Sequence, residues 1–329
     1  MAARTRFALF AAVIAFAMMA AAYVYLHRPF AVNSPVLSAV ALSETDPALE
    51  RVGDLIYRGG IDIPRMDRNI GGLSALRWDA KSGRLLALTD DARWVWIVPD
   101  EPDGELSGLE NIDTGELLGP DGATLIGKEQ GDSESVTRSA EGGWLIGFER
   151  DHRIWRYPSL TGPPAPPAPM AVQPETVLGP LENNSGVEAL AGDENSLFLC
   201  AEQVSLGGEP NCAAMSERGV FERQTHQAPE PLLGYGAAPT DADMAADGTL
   251  YILFRSYSKL RGNDAAIIAI DPNGARRDLA VLASPLTVDN FEGIAVREDD
   301  GRSFLYIVSD DNFSADQRTL LMKFEISRD

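Results

Sequence analysis

Two cysteines and three histidines in 329 residues leave no material for a cysteine-rich zinc site, a disulfide-dense scaffold or a multi-histidine metal centre. Basic side chains are scarce too. The 28 Lys and Arg face 49 Asp and Glu, giving a formal charge of −21. A chain this acidic has no surface with which to displace the counterions of DNA or RNA, so no nucleic acid is expected as a partner. The common catalytic signatures are missing: no G-x-S-x-G elbow, no phosphate-binding P-loop and no H-E-x-x-H helix. His152 and His226 have no recognisable nucleophile beside them. What is abundant is apolar content, at 45%, which excludes a disordered chain and fills one large core or two ordinary ones. Thirty Gly and 21 Pro supply many turns, which favours a β-rich fold over a helical one.

The longest apolar run is at the amino terminus. Residues Phe7 to Leu26 carry no charge, with Arg4 and Arg6 before them and Arg28 after. As a helix, at about 1.5 Å per residue, this run spans a bilayer core. Residues 1–28 therefore read as a signal-anchor, or as a signal peptide if the Ala20-Ala21-Ala22 stretch is cleaved. The body would then be periplasmic, anchored to the inner membrane through residues 7–26, or secreted. Residues 29–50 show little periodicity and read as a linker; residues 51–329 form the folded domain, expected to be a monomer. Export suits a disulfide. Cys200 ends an apolar strand-like run and Cys212 follows a Gly-Gly-Glu-Pro turn; a Cys200–Cys212 bridge is expected, two separate buried thiols being the alternative.

The domain repeats itself. Each unit has a polar step into an apolar run, a Gly-containing turn, and a β-prone strand ending in charged residues. The units open at Ser74, Glu134, Glu188, Asp243 and Glu292, with gaps of 60, 54, 55 and 49 residues. Several strands per period near fifty, with no convincing helix, is the mark of an all-β propeller of four-stranded blades. Five units are clear, and a sixth would have to be a degenerate copy. The strand-like segment 53–63 precedes the first unit and is expected to complete the last blade, which closes the ring and removes free sheet edges. The Pro-rich stretch 161–170 is expected to be an extended surface loop of the second blade, outside the sheet ladder.

Carboxylates recur at fixed steps of the repeat. Glu134, Glu188, Asp243 and Glu292 open four units, and Ser74 the fifth. A second acidic set follows the long strands: Asp90 and Asp91, Glu149 and Asp151, Glu202, Asp310 and Asp311. Equivalent positions of successive blades lie on a ring, so a ring facing the channel gathers several carboxylates in a small volume. They repel unless a cation or basic side chains compensate. Glu134, Glu188, Asp243 and Glu292 are the candidate ligands of Ca²⁺, which takes about six to eight hard oxygens. Arg150, Arg255, Lys259 and Arg318 follow the same strands and can supply counter-charge or hold an anionic substrate. The competing reading is that each acid only hydrogen-bonds backbone amides at a turn.

The segments Gly71-Gly-Leu-Ser-Ala-Leu, Asp132-Ser-Glu-Ser-Val and Asn184-Ser-Gly-Val-Glu-Ala-Leu carry a resemblance. So, more specifically, do Asp289-Asn-Phe-Glu-Gly-Ile-Ala with Ser309-Asp-Asp-Asn-Phe and Gln317-Arg-Thr-Leu-Leu. Together they cover about residues 52–326, and the chain resembles the family of bacterial exported proteins termed "esterase-like activity of phytase". The resemblance implies a hydrolase of phosphate or other small esters, possible Ca²⁺ dependence, and a site at the channel mouth. Glu134, Glu188, Glu292, Asp310 and Asp311 would then be catalytic, and Arg150, Arg255, Arg318 and Asn312 would bind substrate. The dense Asp-rich calcium motifs of propeller phytases are not present. A non-catalytic binding or scaffold propeller of the cell envelope, and a lactonase-like propeller, are the other expectations.

Overall fold

Strands that are buried on both faces read as unbroken apolar runs rather than alternating ones. Leu73–Asp79, Arg84–Thr89, Leu250–Ser258 and Arg302–Ser309 are of this kind, nearly every residue being buried. Such strands need a sheet packed against each face, and radially stacked blades supply it. The computed structural model describes residues 37–328, apart from 65–69, 163–164, 171–172, 194–195, 205–209, 216–219, 231 and 233–235. It is a five-bladed β-propeller. Blade 1 comprises Leu73–Asp79, Arg84–Thr89, Arg93–Asp100 and Gly108–Glu116, from the channel outward. Blade 2 comprises Ser133–Arg138, Trp144–Phe148, Arg153–Tyr157 and Ala168–Pro169. Blade 3 comprises Val187–Gly192, Leu197–Val204, Pro210–Met215 and Phe221–Gln224. Blade 4 comprises Ala238–Met244, Leu250–Ser258, Gly262–Ile270 and Arg276–Leu282. Blade 5 comprises Phe291–Asp299, Arg302–Ser309 and Leu320–Ile326, and its fourth strand is Leu55–Asp62 from the other end of the chain.

That fourth strand pairs antiparallel with Leu320–Ile326, Ile61 opposite Leu321, and closes the ring as the repeat analysis expects. The apolar interior is accordingly not one core. It is five clusters, each between two neighbouring blades; Leu76, Leu85 and Val95 of blade 1 meet Tyr306 and Val308 of blade 5, for example. Residues 37–50, read above as linker, lie against the propeller where they are described. Ser38–Ala39 adds to the edge of Leu55–Asp62, and Leu42 is buried between blades 4 and 5. The Pro-rich stretch is also corrected in part, because Ala168 and Pro169 enter the ladder as the outer strand of blade 2. An edge is where a proline costs no ladder bond. The apolar segment 7–26 lies outside the described residues; within them no helix is long and apolar enough to cross a membrane.

Cys200 and Cys212 form a disulfide between directly opposed residues on the second and third strands of blade 3. Replacing both with Ser should lower unfolding free energy by up to about 3 kcal/mol, the chain-entropy value for so short a loop. Chemical denaturation of oxidised protein and double variant measures this, and equal midpoints would contradict it.

Candidate active site at the channel mouth

Every inner strand begins with a β-bulge, at the same step in all five blades. A bulge turns one side chain out of the sheet alternation, and bulges are common beside active sites for that reason. The bulged residues are Ser74, Glu134, Glu188, Thr240 and Glu292. The residue after each strand-two partner forms a second ring at the same mouth: Asp90, Glu149, Glu202, Arg255 and Asp310. A third ring, two residues before each bulge, is Gly72, Asp132, Gly186, Ala238 and Asn290. Backbone bonds tie rings two and three together, as in Glu149 N to Asp132 O at 2.8 Å and Asp310 N to Asn290 O at 2.8 Å.

Two glycines of the third ring make room for the acids. A Cβ on Gly186 would come within 2.9 Å of Glu149 Cβ. Gly72 is in the left-handed region, φ +62°, and a Cβ there would meet Asp90 Oδ1 at 2.5 Å. Blades 1, 2, 3 and 5 thus all bring carboxylates to the mouth, and blade 4 brings Thr240 and Arg255 instead.

Three cations stand among these acids. Lys128 Nζ donates to Asp90 Oδ2 and Asp132 Oδ1, both at 2.7 Å, and Arg150 Nε donates to Asp132 Oδ2 at 2.7 Å. Arg255 Nε lies 3.0 Å from Glu292 Oε1, with Nη2 at 3.8 Å from Glu202 Oε1. Gly186 N donates to Glu149 Oε1 at 3.1 Å. Glu188 is 8% exposed and accepts no hydrogen bond among the described residues. Oxygens of Asp132, Glu134 and Glu149 all lie within 4.8 Å of one another, and so do those of Glu149, Glu188 and Glu202. Glu149 belongs to both sets. Oxygens about 2.3–2.6 Å from a central Ca²⁺ are separated by no more than about 5 Å, so each set fits the coordination sphere of that ion.

The electrostatics follow from crowding in a dry place. Burial, then the charges of Glu188 and Asp132, push Glu134 well above the usual carboxyl range. Burial, then Glu202 and Glu292, do the same to Glu188. Burial lifts Glu292 to about 8 although Arg255 opposes it. Burial lifts Glu149 to about 7 against the Gly186 amide, and Asp310 to about 7 against the Asn312 amide. Asp132 goes the other way: burial raises it, but hydrogen bonds from Glu134, Lys128 and Arg150 outweigh that and hold it low.

The cation-free folded chain therefore keeps protons that unfolded carboxyls, with pKa near about 4, have released. More protons bound in the folded state means stability falls as pH rises. In EDTA the melting temperature should drop between pH 5 and 8, the window set by Glu149, Asp310 and Glu292; a melting temperature that rises across it would contradict this.

The channel is stoppered below the acids. Arg77, on the inner strand of blade 1, is fully buried and reaches across the axis. Its Nη1 and Nη2 donate to Asp241 Oδ2 and Oδ1 at 2.8 and 2.9 Å, and Nη1 to Ile294 O at 3.0 Å. Further bonds reach Leu190 O and Ala242 O, so one guanidinium joins the inner strands of blades 1, 3, 4 and 5. The mouth is a cup with a floor, not the entrance to an open pore at this level.

Glu134, Glu188 and Glu292 of the expected set occupy one ring, and Asp310 joins them from the second. Asp243 does not. The repeat equivalent in blade 4 is Thr240, and Asp243 lies three residues deeper. There it accepts from Val296 N and Met244 N at 2.8 and 2.9 Å and sits 3.5 Å from Arg77 Nε. Asp311 is spent on the backbone, accepting from Gly72 N and Phe313 N at 3.0 and 3.1 Å. Asn312 contributes a backbone N–H to Asp310. Arg318 pairs with Asp289 and Glu44 rather than with the ring acids. Arg150 and Arg255 are at the mouth; Lys259 and Asp151 are exposed. Ser74 and Thr240 satisfy the next blade, their hydroxyls donating to Ser133 O and Phe291 O.

Asp132 and Lys128 escape the repeat analysis. Asp132 precedes the unit as counted, and Lys128 lies on the short helix Lys128–Gly131 in the connection from blade 1. The signal for Asp132 is its place two residues before the repeating Glu134.

The family model described as phytase-like, esterase-like activity of phytase, matches residues 68–313. No curated protein matches the chain. Solved structures resemble it distantly. An endo-arabinase from Bacteroides thetaiotaomicron has 15% identity and a TM-score of 0.47, covering 79% of this chain and 95% of its own. The catalytic domain of a GH62 α-L-arabinofuranosidase from Coprinopsis cinerea has 13% identity and a TM-score of 0.49, covering 84% and 98%.

Proposed function

Since the chain belongs to the phytase-like family, whose description is esterase-like activity of phytase, we propose that the acidic cup hydrolyses small esters with a divalent cation, most simply Ca²⁺, held among its carboxylates. The observation that carries this reading is the pair of three-carboxylate sets sharing Glu149, one of them containing the buried Glu188, which accepts no hydrogen bond among the described residues. Asp132, Glu134, Glu149, Glu188 and Glu202 would hold the ion. When bound, it would polarise an ester oxygen and lower the pKa of a coordinated water. The remaining acids have the proton affinities that ester cleavage needs near neutral pH. Asp310, lifted to about 7 in the cation-free chain, would take a proton from an attacking water, and Glu292, lifted there to about 8, would give one to the leaving oxygen. The floor at Arg77 keeps the substrate in the cup. Export to the periplasm with an N-terminal anchor is part of the same proposal.

Chromogenic phosphate and carboxylic esters, assayed with Ca²⁺ and with EDTA, test it. Turnover should need the cation and fall by about a hundredfold or more in Glu292→Gln, the usual loss on removing a general acid. A cation-raised melting temperature with no turnover on any ester would favour the non-catalytic envelope propeller instead.

A further inference from the structure

Blade 4 is the side of the cup that carries no acid. Its three ring positions are Ala238, Thr240 and Arg255, where the other blades place one or more carboxylates or an amide. The three cations of the mouth also differ in what they are free to do. Lys128 and Arg150 donate hydrogen bonds to Asp90 and Asp132. Arg255 touches Glu292 and Glu202 only as charge contacts: Nε is buried without a hydrogen-bond partner, and Nη1 and Nη2 donate none among the described residues. A guanidinium held in place by charge, whose outer nitrogens donate no hydrogen bond among the described residues, presents the fork that takes two oxygens of one anion.

The same strand continues past Arg255. In blades 1, 2 and 5 the second strand ends just before its ring residue, at Thr89, Phe148 and Ser309. In blade 4 it runs on to Ser258 and returns from Gly262, so a hairpin stands above the rim on this side alone of these four. The side-chain period of two puts Tyr257 on the same face as Arg255. Tyr257 is 61% exposed and Leu260, at the tip, is 96% exposed. A tyrosine ring beside a cation has an apolar face that a ligand's own ring or alkyl group can cover.

We infer that blade 4 selects the substrate: Arg255 takes an anionic group of the ester, and Tyr257, two residues on and on the same face, takes an adjoining apolar group. The preferred substrates would be anionic esters with an aryl or alkyl part, rather than wholly polar ones. This rests on the ester-hydrolase reading for the word substrate, but the contact surface can be tested without turnover.

The test is calorimetric binding of phenylphosphonate and methylphosphonate, neither of which is an ester, to the full chain in Ca²⁺. Phenylphosphonate should bind about tenfold more tightly, the effect of burying part of a ring. Tyr257→Ser should abolish that preference and leave methylphosphonate binding unchanged, and Leu260→Ser, at the tip, should change neither. Arg255→Met should weaken both by about thirtyfold, the effect of losing charge-assisted hydrogen bonds, and Arg255→Lys should recover part of it. Equal binding of the two phosphonates by the wild type, no binding of either, or wild-type binding by a folded Arg255→Met, would each overturn the inference. Selective binding with no turnover of any ester would uphold it while removing the hydrolase reading.

Discussion

Glu149→Gln should weaken Ca²⁺ binding by at least about a hundredfold and abolish cation-dependent turnover, while the cation-free protein stays folded. The size follows from its position. Loss of a group that merely orients a metal ligand costs about ten- to a hundredfold. Glu149 is more than that, because its carboxylate belongs to both oxygen sets, with Asp132 and Glu134 on one side and Glu188 and Glu202 on the other. The variant removes charge from both at once. The fold should tolerate it. A neutral amide relieves repulsion in a place where burial already lifts the Glu149 carboxyl to about 7, and the amide oxygen still accepts from Gly186 N. Cation-free melting at pH 8 should therefore stay level or rise slightly. Glu292→Gln, outside both oxygen sets, should lose turnover but keep cation binding, so the two variants separate ligand from proton donor.

Arg77→Met should be the most destabilising single change in the channel, by about 3–5 kcal/mol, as for other broken buried ion pairs. In a chain of this size that lowers the melting temperature by the order of 10 °C. The guanidinium is enclosed, and its loss strands the wholly buried Asp241 carboxylate without its counter-charge. Asp241 keeps three backbone donors, Ala242 N, Ile294 N and Leu76 N at 2.8, 2.8 and 3.3 Å, which cannot replace a formal positive charge. Pairing Arg77→Met with Asp241→Asn should recover part of the loss, because the asparagine removes the stranded charge and retains an acceptor. A single variant within 1 kcal/mol of wild type, by the same standard of buried pairs, would show that the inner strands do not depend on this tie.

The blades were readable because the chain repeats a physical unit. Runs such as Phe304-Leu-Tyr-Ile-Val308 are apolar without alternation, and a propeller is the arrangement that covers both faces of every sheet. Closure by residues 55–62 was readable from a lone strand with no unit of its own. The ring acids Glu134, Glu188 and Glu292 were readable for the same reason. Blade 4 breaks the pattern, because Asp243 lies three residues past the bulge. Asp243 looks like the missing acid, yet Thr240 stands fifteen residues before Arg255, as Glu134 stands fifteen before Glu149. The bulge at Thr240 is fixed by its pairing, Pro239 opposite Phe254 and Asp241 opposite Leu253, which spacing in the sequence does not encode. Arg77 could not be found from spacing either. It sits in a run of apolar neighbours, and its partners Asp241, Leu190 and Ile294 are distant in sequence and meet only at the channel axis. Asp311 and Arg318 failed for a related reason, since whether an acid or base at a turn faces the cup or the backbone depends on loop geometry that sequence spacing does not encode.

The most direct test of the acidic cup as a cation site is calorimetric titration of the desalted full chain with Ca²⁺ at pH 7, in two buffers of different ionisation heat. Saturable binding of at least one ion per chain is expected, together with proton release, because burial raises the proton affinity of Glu134, Glu188 and Glu149, the last to about 7, and a cation draws such protons off. The melting temperature should rise with it. No saturable heat at millimolar Ca²⁺, and melting curves that coincide with and without EDTA, would contradict the account.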